Sequence, residues 1–403
     1  SNSSAASDVY KRQGYYQLDE KNIALVIKGK RPLVDGGCLL VAHTDSPHLL
    51  ITPKPVSSER DIALLSLRES WRVKTYQWLS RPLAIHGEVL TDQGLKSVVL
   101  GENDDFVFII PDLNQIAYDV YTEPESRAIA EREKLQLIAA SVPIEAEGLS
   151  FSVKMQLLKY FYDHYNMTED DFLRANLKVV PAGSARDVGL HRTMIGGYGH
   201  DGRSGVFSAL KAALALEKPE YWGIILFVYQ DRVMNQKSNA EIRSILELVM
   251  ARLCMLEQVN FSSDLVNRIL ASSRAVVAEV TNGVNPLFEE INELGNAAFL
   301  GNGLVIMKYL GVSGKYYTND ARAEYMGYIR RLCNENKITW QSAEFGRVDE
   351  GGGASLSRYV GELGVDVVDI ALPVLSMHAP FAICSKFDLY EEYRFYRIFL
   401  QSN

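Results

Sequence analysis

Six consecutive residues, Gly37-Cys38-Leu39-Leu40-Val41-Ala42, are apolar at odd and even positions alike, and the run opens directly into His43-Thr44-Asp45-Ser46-Pro47. A strand with two apolar faces has both faces to cover, so it belongs in the middle of a sheet with helices above and below. Strand-like runs also occur at 22–27, 223–229, 275–280 and 365–370. Between and after them, three- and four-residue apolar steps predict helices over 204–216, 240–258, 262–271, most of 317–336, and 389–400. This alternation predicts an α/β sandwich with a mostly parallel sheet.

The middle of the chain has a different rhythm. Short strands are expected at 84–90, 97–100 and 106–110, and helices at 123–140 and 151–165. No chemistry stands out there. The expected organisation is one discontinuous α/β domain, residues 1–56 and 182–403, interrupted by a β-rich insertion at 57–181. A length of 403 residues agrees with two domains.

Composition narrows the function classes. Apolar residues make up 47% and charged residues 23%, the usage of a globular protein. A net charge of −8 argues against a nucleic-acid partner, whose phosphates want a basic face. No apolar run reaches the ~18 residues of a membrane-spanning helix, so no membrane partner is expected. Cys38, Cys254, Cys333 and Cys384 form no CxxC pair and read as reduced, buried thiols of a cytoplasmic protein. Ser1-Asn2-Ser3-Ser4-Ala5-Ala6-Ser7 lacks the pattern of a secretion signal and reads as a tag remnant or frayed end.

In α/β sheets of this kind ligands sit beyond the carboxyl ends of the strands. His43, with Asp45 two residues on, suits a metal ligand backed by a carboxylate, or equally a histidine hydrogen-bonded in a turn. Asp201, in Tyr198-Gly199-His200-Asp201-Gly202-Arg203, precedes a helix and suits a helix cap or a carboxylate bridging two cations. Glu279 ends an apolar strand and needs a partner there. His378 follows another strand-like run, in Pro373-Val374-Leu375-Ser376-Met377-His378. Together these four make the inventory of a zinc peptidase.

At these residues the chain resembles the aspartyl aminopeptidase family of dinuclear zinc exopeptidases. The likeness is carried by Val41-Ala42-His43-Thr44-Asp45-Ser46-Pro47, Tyr76-Gln77-Trp78-Leu79-Ser80-Arg81-Pro82-Leu83 and Val180-Pro181-Ala182-Gly183. It continues through Asp187-Val188-Gly189, Asn285-Pro286-Leu287-Phe288, Ile306-Met307-Lys308-Tyr309 and Glu350-Gly351-Gly352-Gly353. It ends in Ser376-Met377-His378 and Ser385-Lys386-Phe387-Asp388-Leu389-Tyr390. The resemblance implies a zinc-exopeptidase-like sandwich whose inserted domain makes dimers, and a homo-oligomer of dimers assembled into a dodecamer. It implies that His43 and His378 bind zinc, that Asp45 stands behind His43, that Asp201 bridges two metals, and that Lys308 meets an acidic substrate side chain.

The sequence departs from the family pattern at decisive positions. Where the family has two adjacent glutamates, a general base and a zinc ligand, this chain has Asp231 and Arg232. Asp231 is one methylene short as a base. Arg232 has no lone pair for a metal and repels a cation. Glu279 replaces an aspartate ligand, Trp71-Arg72-Val73 replaces Tyr-Gly-Gly, and the stretch 110–116 lacks the histidine that the family lends to a neighbouring subunit. The expectation is a degraded di-zinc site, holding one zinc or none, in a pseudoenzyme acting as an oligomeric scaffold or binding protein. The alternatives are an active, possibly single-metal, aminopeptidase releasing acidic N-terminal residues, and a different hydrolase or small-molecule binder using the remodelled pocket.

Overall fold

The computed structural model describes residues 7–8, 13–19, 21–70, 73–102, 106–113, 135–146, 149–229, 238–308, 319–347, 353 and 355–402. The chain divides into two compact units. The first comprises Ser1–Ser46, Arg186–Met377 and Phe381–Asn403; the second comprises Pro47–Ala185 with His378–Pro380.

The first unit is built on a 12-stranded sheet. Its centre runs in the order β1 (Ile23–Ile27), β3 (Trp222–Val228), β2 (Gly37–His43), β4 (Arg274–Asn282), β5 (Asp366–Leu375). Strands β3, β2, β4 and β5 are mutually parallel and β1 is antiparallel to β3. Every residue of β2 and of β3 is buried, as a doubly apolar run requires.

Alternate residues of these strands serve two different cores. Leu39, Val41, Ile224, Leu226 and Val277 pack with α2 (Ser238–Leu256) and α3 (Ser263–Ala271). Leu40, Ala42, Ile225, Phe227 and Ala278 pack on the other face. There they meet α1 (His200–Leu214), α4 (Ala323–Glu335) and α6 (Lys386–Gln401). A short helix of this unit, α5 (Ser357–Gly361), joins the first core through Val360. The result is the three-layer sandwich expected from the pattern. All four cysteines are buried and unbridged. Among the described residues no helix is long and apolar enough to cross a membrane.

The second unit holds a six-stranded antiparallel sheet in the order Gly94–Leu100, Leu83–Thr91, Ala175–Pro181, Leu49–Glu59, Ile62–Glu69, Gln136–Ala140. Leu49–Glu59 is its longest strand, yet Pro53 and Pro55 hide it from pattern reading. Prolines lack the N–H that a ladder needs, and the register shifts between Ile51 and Val56 to pass them. The helix Val153–Tyr165 buries Val153, Leu157 and Phe161, one helical face.

Two local expectations fail here. The predicted helix 123–140 is a strand over its last residues, Gln136–Ala140, while 123–134 lie outside the described residues. Leu135 and Leu137 are both buried, a period of two imposed by pairing with Ile62–Glu69. The predicted strand 106–110 forms only isolated bridges, Leu83 to Phe108 and Ile109 to Ile138.

Candidate metal centre

His43 is the last residue of β2, and the sheet's register decides what stands beside it. Val228 pairs with His43 across β3. On the other side Val277 pairs with Val41 and Ala278 with Ala42, which brings Glu279 level with His43 on the same face. Asp201 arrives from α1, whose residues Ala209, Ala212 and Ala213 are small enough to seat the helix on the sheet.

The first turn of α1 is broken in a way that aims Asp201 at His43. Asp201 has ψ 112° and Gly202 has φ 89°, so the chain leaves helical geometry for two residues. A Cβ at Gly202 would lie 2.4 Å from the Asp45 carbonyl oxygen and 2.9 Å from His43 Nδ1. Only glycine suits that position. The Ser46 hydroxyl donates to the Asp201 carbonyl at 2.7 Å and pins the turn.

The geometry around the imidazole is specific. Nδ1 lies 3.1 Å from the Asp45 carbonyl oxygen and 3.4 Å from Asp45 Oδ1. Nε2 faces Asp201 Oδ1 at 3.4 Å and Glu279 Oε2 at 3.9 Å. With Nδ1–H donated to Asp45, the Nε2 lone pair would point at two carboxylates. That arrangement is stable only with a proton or a cation between them. Burial works against an imidazolium, but hydrogen bonds to Asp201 and Asp45 and the charges of Asp201 and Glu279 outweigh it, and hold the His43 pKa well above its ordinary value. Burial pushes Glu279 up to about 8; the His43 charge opposes this, and Asp369 and Asp201 add to it.

Two of these donors are spaced as zinc ligands are. Ligand bonds of ~2.0–2.1 Å in a tetrahedron put ligand atoms roughly 3.3–3.4 Å apart, the His43–Asp201 separation. A histidine whose other nitrogen is held by a carbonyl and a carboxylate is the usual oriented ligand. Glu279 stands slightly wide, and among the described residues no three such side chains already form a closed ligand set.

The other sequence-predicted residues fall elsewhere. His378 lies in the turn after β5 with a left-handed φ of 66°, and residues 378–380 group with the second unit. Lys308 follows the strand Leu304–Met307, half exposed, with Nζ 3.7 Å from Asp320 Oδ1. Asp231 and Arg232 lie outside the described residues. A buried acid near Glu279 escaped sequence reading. Asp369, 1% exposed in β5, accepts hydrogen bonds from Ser355 and Ser357. Burial raises it to about 6 against those two donors. The signal was present: a carboxylate inside Val367-Val368-Asp369-Ile370-Ala371 needs a partner as much as Glu279 does.

Comparison with known proteins bears on the whole chain. Residues 2–400 match the family model described as aminopeptidase I zinc metalloprotease (M18). A probable M18 family aminopeptidase 1 of Borrelia garinii subsp. bavariensis is 36% identical over 390 residues, which cover 96% of this chain and 85% of the relative. The crystal structure of an M18 aminopeptidase from Thermotoga maritima is 33% identical and superposes with a TM-score of 0.88, over 99% of this chain and 88% of that one. The S. cerevisiae mApe1 dodecamer, at 16% identity and TM-score 0.72 over 96% and 85% of the two chains, has the same fold. From the His43 segment through to the last helix, the chain belongs to the M18 family of zinc metalloprotease aminopeptidases.

Proposed function

We propose that this M18 chain keeps one zinc position, formed by His43, Asp201 and Glu279, and has lost the second, so that release of N-terminal acidic residues is much reduced or abolished. The observation that carries the retained position is the His43 Nε2 edge facing two buried carboxylates at 3.4 and 3.9 Å. The loss rests on Arg232, a permanent cation where the family resemblance implies a ligand. It would leave His378 without its metal.

When bound, zinc acts as a Lewis acid toward a scissile carbonyl. The chain's own residues do the rest. Asp45 holds the His43 ring by its Nδ1 side. Lys308 offers a cation to an acidic side chain of the substrate. Asp231 takes a proton from the attacking water, over a shorter arm than glutamate has. A base must come within ~2.6–3.2 Å of its proton donor, so the shortened arm lowers the rate.

Zinc titration by calorimetry, alongside turnover of peptides with N-terminal Asp or Glu, tests this. One zinc per subunit and weak or no turnover are expected. Arg232→Glu should raise the stoichiometry toward two, and Asp231→Glu with Arg232→Glu should recover weak turnover. The second reading, a fully active dinuclear aminopeptidase, is favoured by the 36% identity to relatives named as probable aminopeptidases. Two zinc ions in the unaltered chain with brisk turnover would establish it.

The insertion at 57–181 is proposed to pair subunits into dimers that build a dodecamer, giving the protein a scaffold or binding role. Its edge strand Gly94–Leu100 exposes Leu95 and Val99, and an apolar edge strand invites pairing. A 45.1 kDa particle in solution at micromolar concentration would refute the assembly.

A further inference from the structure

The end of the sheet remote from His43 carries a cavity of about 430 Å³, a size that suits a small ligand. Arg274, the first residue of β4, lines it, and Glu279 lies further along the same strand, roughly 16 Å away at ~3.3 Å per residue. One wall is a single face of α4, with Tyr328, Arg331, Leu332 and Glu335 at helical steps of three and four. The other wall is the end of α6, with Ile398, Gln401 and the following Ser402. Ser402 donates its one proton to the Phe399 carbonyl at 2.7 Å, so the Tyr328 hydroxyl donates to Ser402 Oγ at 2.5 Å and ties the two helix ends together. The Arg274 guanidinium lies over the Tyr328 ring, 4.4 Å from its centroid, which holds the planar group in place. Asp366, its neighbour in the β4–β5 register, is taken by Arg322 at 2.7 and 2.5 Å. Arg331 and Glu335 are one helical turn apart, yet among the described residues neither makes an ion pair.

We propose that this cavity binds a free acidic α-amino acid, aspartate or glutamate, in its zwitterionic form. The lining carries two guanidiniums and one carboxylate, and such an amino acid carries two carboxylates and one ammonium. Arg274 and Arg331 take the carboxylates, whose geometry matches the guanidinium fork. Glu335 takes the ammonium, helped by the C-terminal ends of α4 and α6, where unpaired carbonyls and helix dipoles favour a cation. Leu332 and Ile398 pack on the methylenes between. A plain dicarboxylate would leave Glu335 and the helix ends facing like charge, and a cationic ligand would meet two guanidiniums. Release of N-terminal acidic residues would supply this ligand, but the assignment rests on the lining alone and stands without the zinc.

Calorimetry on the full chain, with metal removed by a chelator so that no zinc can hold the ligand elsewhere, tests this. L-Glutamate or L-aspartate should bind at one per subunit. Glutarate, which lacks the ammonium, and L-glutamine, which lacks one carboxylate, should each bind about tenfold more weakly or worse. Arg331→Gln should weaken glutamate binding by about 10–100-fold, the effect of losing a charged hydrogen-bonding partner. Arg330→Gln, next in the chain but outside the lining, should leave it unchanged. Both arginines are exposed, so neither change should alter the melting temperature. Glu335→Gln should weaken glutamate but not glutarate. The proposal is overturned if the unaltered chain shows no saturable glutamate binding below roughly 10 mM, or if Arg331→Gln leaves the binding intact. Glutarate bound as tightly as glutamate overturns the amino-acid assignment.

Discussion

His43 Nε2 and Asp201 Oδ1 stand 3.4 Å apart although the whole inserted unit separates them in sequence. One sits at the end of a central strand and the other in a broken first turn of a helix. Their approach, with Glu279 beside them, concentrates negative charge around a single imidazole.

That concentration makes stability pH-dependent. His43 and Glu279 both have folded pKa values above their unfolded values of ~6.5 and ~4.3. The folded state then keeps protons that the unfolded chain has released, so stability falls as pH rises through this window. The melting temperature of the metal-free protein should drop between pH 5 and pH 8, and zinc should offset the drop. A melting temperature that climbs steadily over this range without zinc would contradict the account.

Asp201→Asn should lower the pKa of His43 toward its ordinary range, since the strongest partner opposing burial loses its charge. The imidazole signals in NMR titrations of the metal-free protein read this directly. Zinc affinity should fall in the same variant.

Gly202→Ala should be poorly tolerated. The new methyl would meet the Asp45 carbonyl oxygen at 2.4 Å and the His43 ring at 2.9 Å, on a backbone with φ 89°. A loss of about 1–3 kcal/mol in denaturant unfolding is expected, together with weaker zinc binding as Asp201 is displaced. An unchanged midpoint and affinity would show that the turn is not held as described.

Asp388 accepts the amides of Gly301 and Gly303 at 2.7 Å each and ties the chain before Leu304–Met307 to α6. Asp388→Ala leaves two donors without their acceptor and should cost on the order of 2–3 kcal/mol. Asp388→Asn should cost less, since one oxygen remains. Chemical unfolding of both variants checks the order.

Glu392, fully buried on α6, receives the Tyr396 hydroxyl at 3.0 Å. Burial pushes it up to about 7, and the nearby Ser208 and Tyr396 hydroxyls pull the other way. Its folded pKa lies above the unfolded value, so the unfolded chain releases this proton first and stability is lost as pH rises from the ordinary carboxyl range to about 7, and levels off above it. Glu392→Gln should therefore stabilise the protein at pH 8, by roughly 1–2 kcal/mol, and change little at pH 5. Stabilisation at pH 5 but not at pH 8 would reverse the sign and refute it.

The layered α/β architecture was legible because side-chain period is a local property. Leu39, Val41, Leu40 and Ala42 state by alternation alone that β2 has two buried faces, and the two cores they enter confirm it. His43 and Glu279 could be nominated the same way, as polar residues at the ends of apolar runs, and Asp201 as a carboxylate just before a helix. Leu135 and Leu137 show the limit, where sheet pairing set a period that a helical pattern had masked. Pro53 and Pro55 show another, since a bulge lets a strand continue past residues that should end it. Only the tertiary structure decided that Glu279 is level with His43, that Gly202 lets Asp201 reach the ring, and that Asp369 lies below them with two serines. Those relations follow from inter-strand register and one turn's dihedral angles, which couple residues far apart in the chain and leave no periodic trace in its sequence.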